Sequence, residues 1–288
     1  MRVLITGGQG QLGRALEAVY TGQPEVAVHA PGHAELDVGD LTRVRQAVAD
    51  FIPTLIVHAA AATNVDACES ECEAAFRINA LGTRYVAQAA AARDLPLVYV
   101  STNYVFDGTK GEPYHEWDRP NPRSVYARSK LAGEEEARRA PRHYIVRSAW
   151  IYGAGPGGNR FVRTMLGAVD SGQRPVRAVT DQRGQPTYAP DLAAGIAALA
   201  QTGAYGLYHL TNSGACSWHE WAVELFRLSG RDVAVEPVPA SAFPRPAAVP
   251  ANGVLANWAA AALGIEFPDW RVGLRRCLAE MLELRTED

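Results

Sequence analysis

A chain of 288 residues with 48% hydrophobic and 20% charged side chains is long enough for one large domain or two modest ones with an ample core. Its net charge of −3, without a basic run, argues against a nucleic-acid surface. No stretch of about 20 apolar residues is present to span a bilayer, so no membrane partner is expected.

The opening residues run straight into glycines without the apolar segment of a signal peptide. Cys68, Cys72, Cys216 and Cys277 lack C-x-x-C spacing. A cytoplasmic chain with free thiols and no metal site is expected.

An apolar run over 2–6 predicts a strand, followed by Gly7-Gly8-Gln9-Gly10-Gln11-Leu12-Gly13 and a helical pattern through Leu16 and Val19. Glycines there allow a tight turn and close backbone approach, and the helix N-terminus offers N–H groups to a pyrophosphate. Gly7, Gly10, Gln11, Leu12 and Gly13 are therefore candidate dinucleotide contacts, against the plainer reading of a glycine-rich turn.

Further strands are predicted over 26–29, 55–58, 97–100 and 144–147, with helices over 41–51, 68–93 (one or two) and 126–139. This alternation implies an α/β fold with a Rossmann-type, doubly wound parallel sheet. Ligands bind such sheets at the carboxyl ends of the strands, here the loops 6–13, 58–66 and 101–108. Ala59 to Ala62 would let a flat ring lie against the backbone, although helix-forming residues in a loop explain them equally well. Ser101, Thr102 and Asn103 bring hydroxyls and an amide to the same face, where capping is the alternative role.

Tyr126 and Lys130 stand four residues apart on a predicted helix and so share one face. A phenol has a pKa of about 10, and a cation beside it favours the phenolate, which suits general acid–base work near neutral pH. Only Lys110 and Lys130 are lysines among 28 basic residues, so an amine is kept where arginine is the habit. An ordinary surface lysine on an exposed helix is the competing reading.

Past Trp150 the pattern loosens through a glycine-rich stretch at 153–158, a helix over 161–170 and a polar loop over 181–187. Helices over 190–200 and 218–228, short strands over 208–211 and 233–235, a proline-crowded 237–250 and a last helix over 271–284 follow. Residues 1–150 read as a dinucleotide-binding domain to which segments near 176–202 return, and 151–288 mainly as a smaller substrate-binding lobe.

With these motifs in order, the chain resembles the extended short-chain dehydrogenase/reductase superfamily and, within it, the dTDP-4-dehydrorhamnose reductase family. The marks are Gly10-Gln11-Leu12-Gly13, Leu36-Asp37-Val38, Ala61-Ala62-Thr63-Asn64-Val65-Asp66, Ser101 through Gly108, Arg147-Ser148-Ala149-Trp150, Asp181 through Thr187, Cys216-Ser217-Trp218 and Arg245-Pro246. The resemblance implies reduction of the 4-keto group of a dTDP-linked 6-deoxyhexose to dTDP-L-rhamnose by a nicotinamide cofactor. It implies that Tyr126 protonates the forming alkoxide, that Lys130 lowers the tyrosine pKa and holds the nicotinamide ribose, and that Thr102 positions the carbonyl. Asp37, Val38, Ala60, Ala61 and Ala62 would join the glycine turn in holding the cofactor, and Thr63, Val65, Asn103, Tyr104 and Trp150 would line the sugar pocket. A homodimer is compatible with this resemblance.

Four positions depart from the family pattern. Asn103 stands for an aspartate, Ala127 for a glycine, His58 for an asparagine, and Ala15 for the first-helix acid through which some relatives share magnesium between subunits. No acid closes the 26–29 strand to grip a 2′-hydroxyl, and no nearby Arg or Lys clearly meets a 2′-phosphate, so NADPH is the expected cofactor with NADH also accepted. Alternative functions are another reductase, dehydratase or epimerase of the superfamily and, as a non-enzyme, an NADP-binding regulatory subunit of a methionine adenosyltransferase.

Overall fold

The computed structural model describes residues 1–155 and 160–286, so positions 156–158 of the glycine-rich 153–158 stretch lie outside the described residues. Four of the five residues of β1 (Arg2–Thr6) are buried, as a central strand covered on both faces requires. Then come α1 (Gln11–Thr21), β2 (Ala27–His29), α2 (Leu41–Phe51) and β3 (Leu55–His58). The start of α2 is fixed by Asp40, whose carboxylate accepts from the Thr42 and Arg43 N–H groups.

The segment expected to hold one or two helices is more broken than that. Short α3 (Ala67–Ser70) and α4 (Cys72–Phe76) lead through a π-helical turn at Arg77–Gly82 into α5 (Thr83–Ala91). β4 (Leu97–Thr102), α6 (Val125–Ala137) and β5 (His143–Ser148) follow. The C-terminal portion comprises β6 (Ile151–Tyr152), α7 (Arg160–Asp170), β7 (Val176–Val179), β8 (Arg183–Gly184), β9 (Thr187–Tyr188), α8 (Ala189–Ala200), β10 (Gly206–His209), β11 (Cys216–Ser217), α9 (Trp218–Leu228), β12 (Val235–Val238), α10 (Trp258–Ala261) and α11 (Trp270–Thr286).

Six parallel strands form the main sheet in the order β10-β5-β4-β3-β1-β2. Alternate side chains face opposite layers. Val3, Ile5, Val57, Val98 and Val146 pack with Leu16 of α1 and Ile196 of α8. Leu4, Ile56, Tyr99 and Ile145 pack with Val44 of α2, Val86 of α5 and Ala137 of α6. A third cluster around Tyr152, Trp221, Phe226, Trp270 and Leu274 makes the core of the C-terminal portion. The doubly wound parallel sheet is thus present.

Its strand order reverses between β1 and β3, which opens a crevice at their carboxyl ends. One strand has a different standing from its sequence appearance. The short strand read at 208–211 runs over Gly206–His209 and is the outer strand of the main sheet, with Gly206 opposite Tyr144. No described helix is long and apolar enough to cross a membrane.

Candidate active site

The turn after β1 depends on missing side chains. Gly7 adopts φ +74, and a Cβ there would lie 2.8 Å from the Ala60 Cα, while one at Gly13 would lie 2.2 Å from the Gly7 carbonyl oxygen. The turn closes by a bond from the Gly10 N–H to that same carbonyl at 3.0 Å. Gly10 offers α1 no side-chain cap, and the first turn of α1 holds no acidic residue. An uncapped, acid-free helix N-terminus behind a glycine turn is a cradle for a phosphate group, so these residues fit a dinucleotide.

The turn forms one end of a cleft of about 900 Å³ that runs past Ala59–Ala62 to the ends of β4, β5 and α6. Ser124 begins α6 by accepting from the Ala127 N–H at 3.2 Å, which sets Tyr126 in the first turn and Lys130 one turn on. Tyr126 is half-buried and meets the Tyr104 ring edge-on at 5.9 Å, with Thr102 lining the same cleft. Burial raises the Tyr126 pKa above the ordinary phenol value, and the nearby Thr102 hydroxyl works against that rise. The phenol therefore holds its proton at neutral pH, as an acid must.

Lys130 differs from the expectation drawn from spacing. Its ammonium donates to the Val100 carbonyl at 2.7 Å and lies 4.2 Å from the centre of the Tyr99 ring, with the residue only 3% exposed. Burial pulls its pKa down to about 7, partly opposed by Glu134. With the amine committed to the β4 backbone, burial and Thr102 rather than a Lys130 charge set the Tyr126 pKa. Four residues further along α6, Glu134 pairs with Arg147 of β5 at 2.7 Å and accepts from Ser101 at 2.6 Å.

Under the site runs a bonded chain of buried side chains. Thr83 donates to the Asn79 carbonyl at 2.7 Å, so the His58 Nε2 donates to Thr83 at 3.1 Å and the Thr6 hydroxyl donates to the His58 Nδ1 at 2.7 Å. Burial, with Lys130 adding to it, holds the His58 pKa down to about 3, so the ring stays neutral. Asn79 in turn donates to Ser129 at 2.9 Å and accepts from the Ala62 N–H at 2.8 Å. The glycine turn, the alanine run and the tyrosine helix are thereby tied together.

Gly7, Gly10, Gln11, Leu12, Gly13, Val38, Ala60, Ala61 and Ala62 all line the cleft. So do Thr63, Val65, Thr102, Asn103, Tyr104, Tyr126, Lys130 and Trp150. Asp37 does not line it; its carboxylate accepts from Arg77 at 3.0 Å and from the Gly39 N–H at 2.9 Å. Asn103 spends an amide proton on the Gly253 carbonyl at 2.9 Å, a bond a carboxylate in its place would not make. Among the described residues there is no group of three or more His, Cys, Asp or Glu able to hold a metal.

Gln9, His33, Ser148, Phe161, Trp218 and Trp221 also line the cleft and escaped the sequence reading. His33 follows the end of β2, where the strand-end rule points. Trp218 lay within a noted motif, but Phe161 and Trp221 read simply as helical apolar residues.

A family model described as the RmlD substrate binding domain matches residues 1–283. A dTDP-4-dehydrorhamnose reductase of Streptomyces griseus is 43% identical over 95% of this chain and 91% of its own length. The crystal structure of a dTDP-4-dehydrorhamnose reductase from Clostridium acetobutylicum superposes with a TM-score of 0.93 at 38% identity, covering 98% of this chain and 100% of that one. A dTDP-4-dehydrorhamnose reductase from Bacillus anthracis, crystallised with NADP, gives 0.91 at 37% identity, covering 97% and 99%. With the glycine turn, the Tyr126–Lys130 helix and the Asp181–Thr187 loop in place, this chain belongs to the dTDP-4-dehydrorhamnose reductase family.

Proposed function

We propose that the chain reduces the 4-keto group of dTDP-4-dehydro-6-deoxy-L-hexose (dTDP-4-dehydrorhamnose) to give dTDP-L-rhamnose, with NADPH as the preferred reductant and NADH accepted. One observation carries this reading: a single cleft joins a phosphate-cradling turn to the side chains of Thr102 and Tyr126. The relative crystallised with NADP supports the cofactor.

When bound, the reduced nicotinamide supplies a hydride to the carbonyl carbon. The chain's own residues manage binding and the proton. The first turn of α1 would hold the pyrophosphate, and Ala60–Ala62 and Val38, which line the same cleft, would help hold the cofactor. Thr102 donates a hydrogen bond that orients the carbonyl, and Tyr126 gives its proton to the oxygen as negative charge develops there. Lys130 in its ammonium form would hold the nicotinamide ribose. Thr63, Val65, Asn103, Tyr104 and Trp150 wall the sugar.

Residues 1–150 form the cofactor domain in this reading and 151–288 mainly the substrate lobe, with α8 returning to the cofactor domain through contacts between its Leu192 and Ile196 and the α1 side of the sheet. Among the described residues no disulfide joins the four cysteines, which suits the cytoplasm. The test is NADPH consumption by purified protein. Oxidation that depends on a dTDP-4-keto-6-deoxyhexose is expected, and no turnover with any such sugar sinks the proposal.

A further inference from the structure

Trp150 holds a backbone conformation with φ +43, uncommon and costly for a bulky aromatic residue. Its surroundings enforce it. The Trp150 carbonyl accepts from the Thr187 N–H at 3.2 Å, and the indole lies flat on Trp218, with ring centres 3.8 Å apart and planes 18° apart. Gly184 also lies against the indole, where a Cβ would stand 2.5 Å from the indole Cε2 and 2.7 Å from Cζ2.

One small sheet holds Gly184 and Trp218 together. Gly184 of β8 pairs with Cys216 of β11, and Trp218 follows Cys216 by two residues. Trp150 and Trp218 line the cleft, whereas buried Gly184 does not. With Trp218 stacked on the indole and Trp150 lining the cleft, an added side chain at 184 displaces the ring and with it the wall of the cleft.

We propose that Gly184 is a specificity-determining positioning residue: the absence of a side chain there sets how deep the Trp150 indole lies, and so the width of the sugar pocket. The inference rests on the reductase reading, in which Trp150 walls the sugar. A methyl group at 184 narrows the pocket for the hexose while leaving the cofactor turn, built from β1, α1 and β3, untouched.

The test compares wild type, Gly184→Ala, Trp150→Phe and the Gly184→Ala/Trp150→Phe double variant. Gly184→Ala is expected to raise KM for the dTDP-ketosugar about tenfold or more, the scale of one misplaced methylene in a pocket. NADPH affinity by fluorescence titration should hold, and the circular-dichroism signal of the stacked indoles should shift. A benzyl ring in place of the indole leaves room for the new methyl group, so the double variant should outperform Gly184→Ala. Unchanged KM and unchanged indole signal in Gly184→Ala overturn the proposal, as does an equal loss of NADPH affinity. If Gly184→Ala fails to fold, the double variant must fold and turn over, and its failure overturns the proposal too. An inactive wild type counts against the reductase reading instead, and the indole signal then still decides whether Gly184 sets the ring.

Discussion

Arg147 grips Glu134 through two parallel hydrogen bonds, Nε to Oε1 at 2.8 Å and Nη2 to Oε2 at 2.7 Å, with the side chains 2% and 0% exposed. The pair rivets β5 to the helix that carries Tyr126 and Lys130. Removing one partner strands a buried charge, so Glu134→Ala should cost about 3–5 kcal/mol of stability. Urea unfolding measures it; a loss of about 0–1 kcal/mol, typical of an exposed pair, would reject the buried-charge account.

Replacing Tyr126 by Phe removes the acid and little else. A fall in kcat of about 10² to 10⁴ is expected, with cofactor affinity unchanged. Steady-state rates beside an NADPH titration check both halves, and near-normal kcat would exclude the acid role.

Lys130 gives pH dependence with a definite sign. Its folded pKa of about 7 lies below the ordinary lysine value of about 10.4, so the unfolded chain binds the extra proton between those limits. Stability contributed at this position falls as pH drops from about 10 to about 7 and is flat below. Lys130→Met should flatten that slope in urea midpoints measured across the window. Because Tyr126 stays protonated throughout, the loss of reductase kcat/KM on raising pH through about 7 should belong to Lys130 as its ammonium form is lost.

Gly13→Ala presses a methyl group within 2.2 Å of the Gly7 carbonyl oxygen and 2.7 Å of the Gly8 Cα. The backbone must shift, at a cost of about 1–3 kcal/mol, and the phosphate cradle shifts with it. Calorimetric titration with NADPH should show weakened binding. Wild-type affinity would disconnect this turn from the cofactor.

Asn103→Asp sets a carboxylate against the Gly253 carbonyl in place of the present amide bond. Leaving that acceptor unpaired should cost about 1–3 kcal/mol. The penalty should shrink in acid, where the protonated carboxyl can donate to Gly253, and thermal melts at two pH values decide it.

Local pattern was enough for β1, α2 and the placing of Tyr126 and Lys130, because a strand's apolar run, a helical pattern over 41–51 and a four-residue spacing are read within one turn or strand. What escaped depends on distant partners. The low Lys130 pKa comes from burial under Tyr99 and β4. Asp37 is engaged by Arg77, 40 residues on, across a π-helical turn that no periodicity announces. Phe161 and Trp221 reach the cleft only because α7 and α9 fold beside it, and helical spacing alone makes them ordinary core residues.

The outer place of β10 in the main sheet fixes an order of manufacture. As the chain leaves the ribosome, the edge of β5 turned away from β4, which later pairs from Tyr144 to Arg147, stays open until Gly206–His209 has been made. A nascent chain stopped between the two carries a bare, sticky strand edge, and the stretch of synthesis from 148 to 209 is when it is most in need of a holding chaperone.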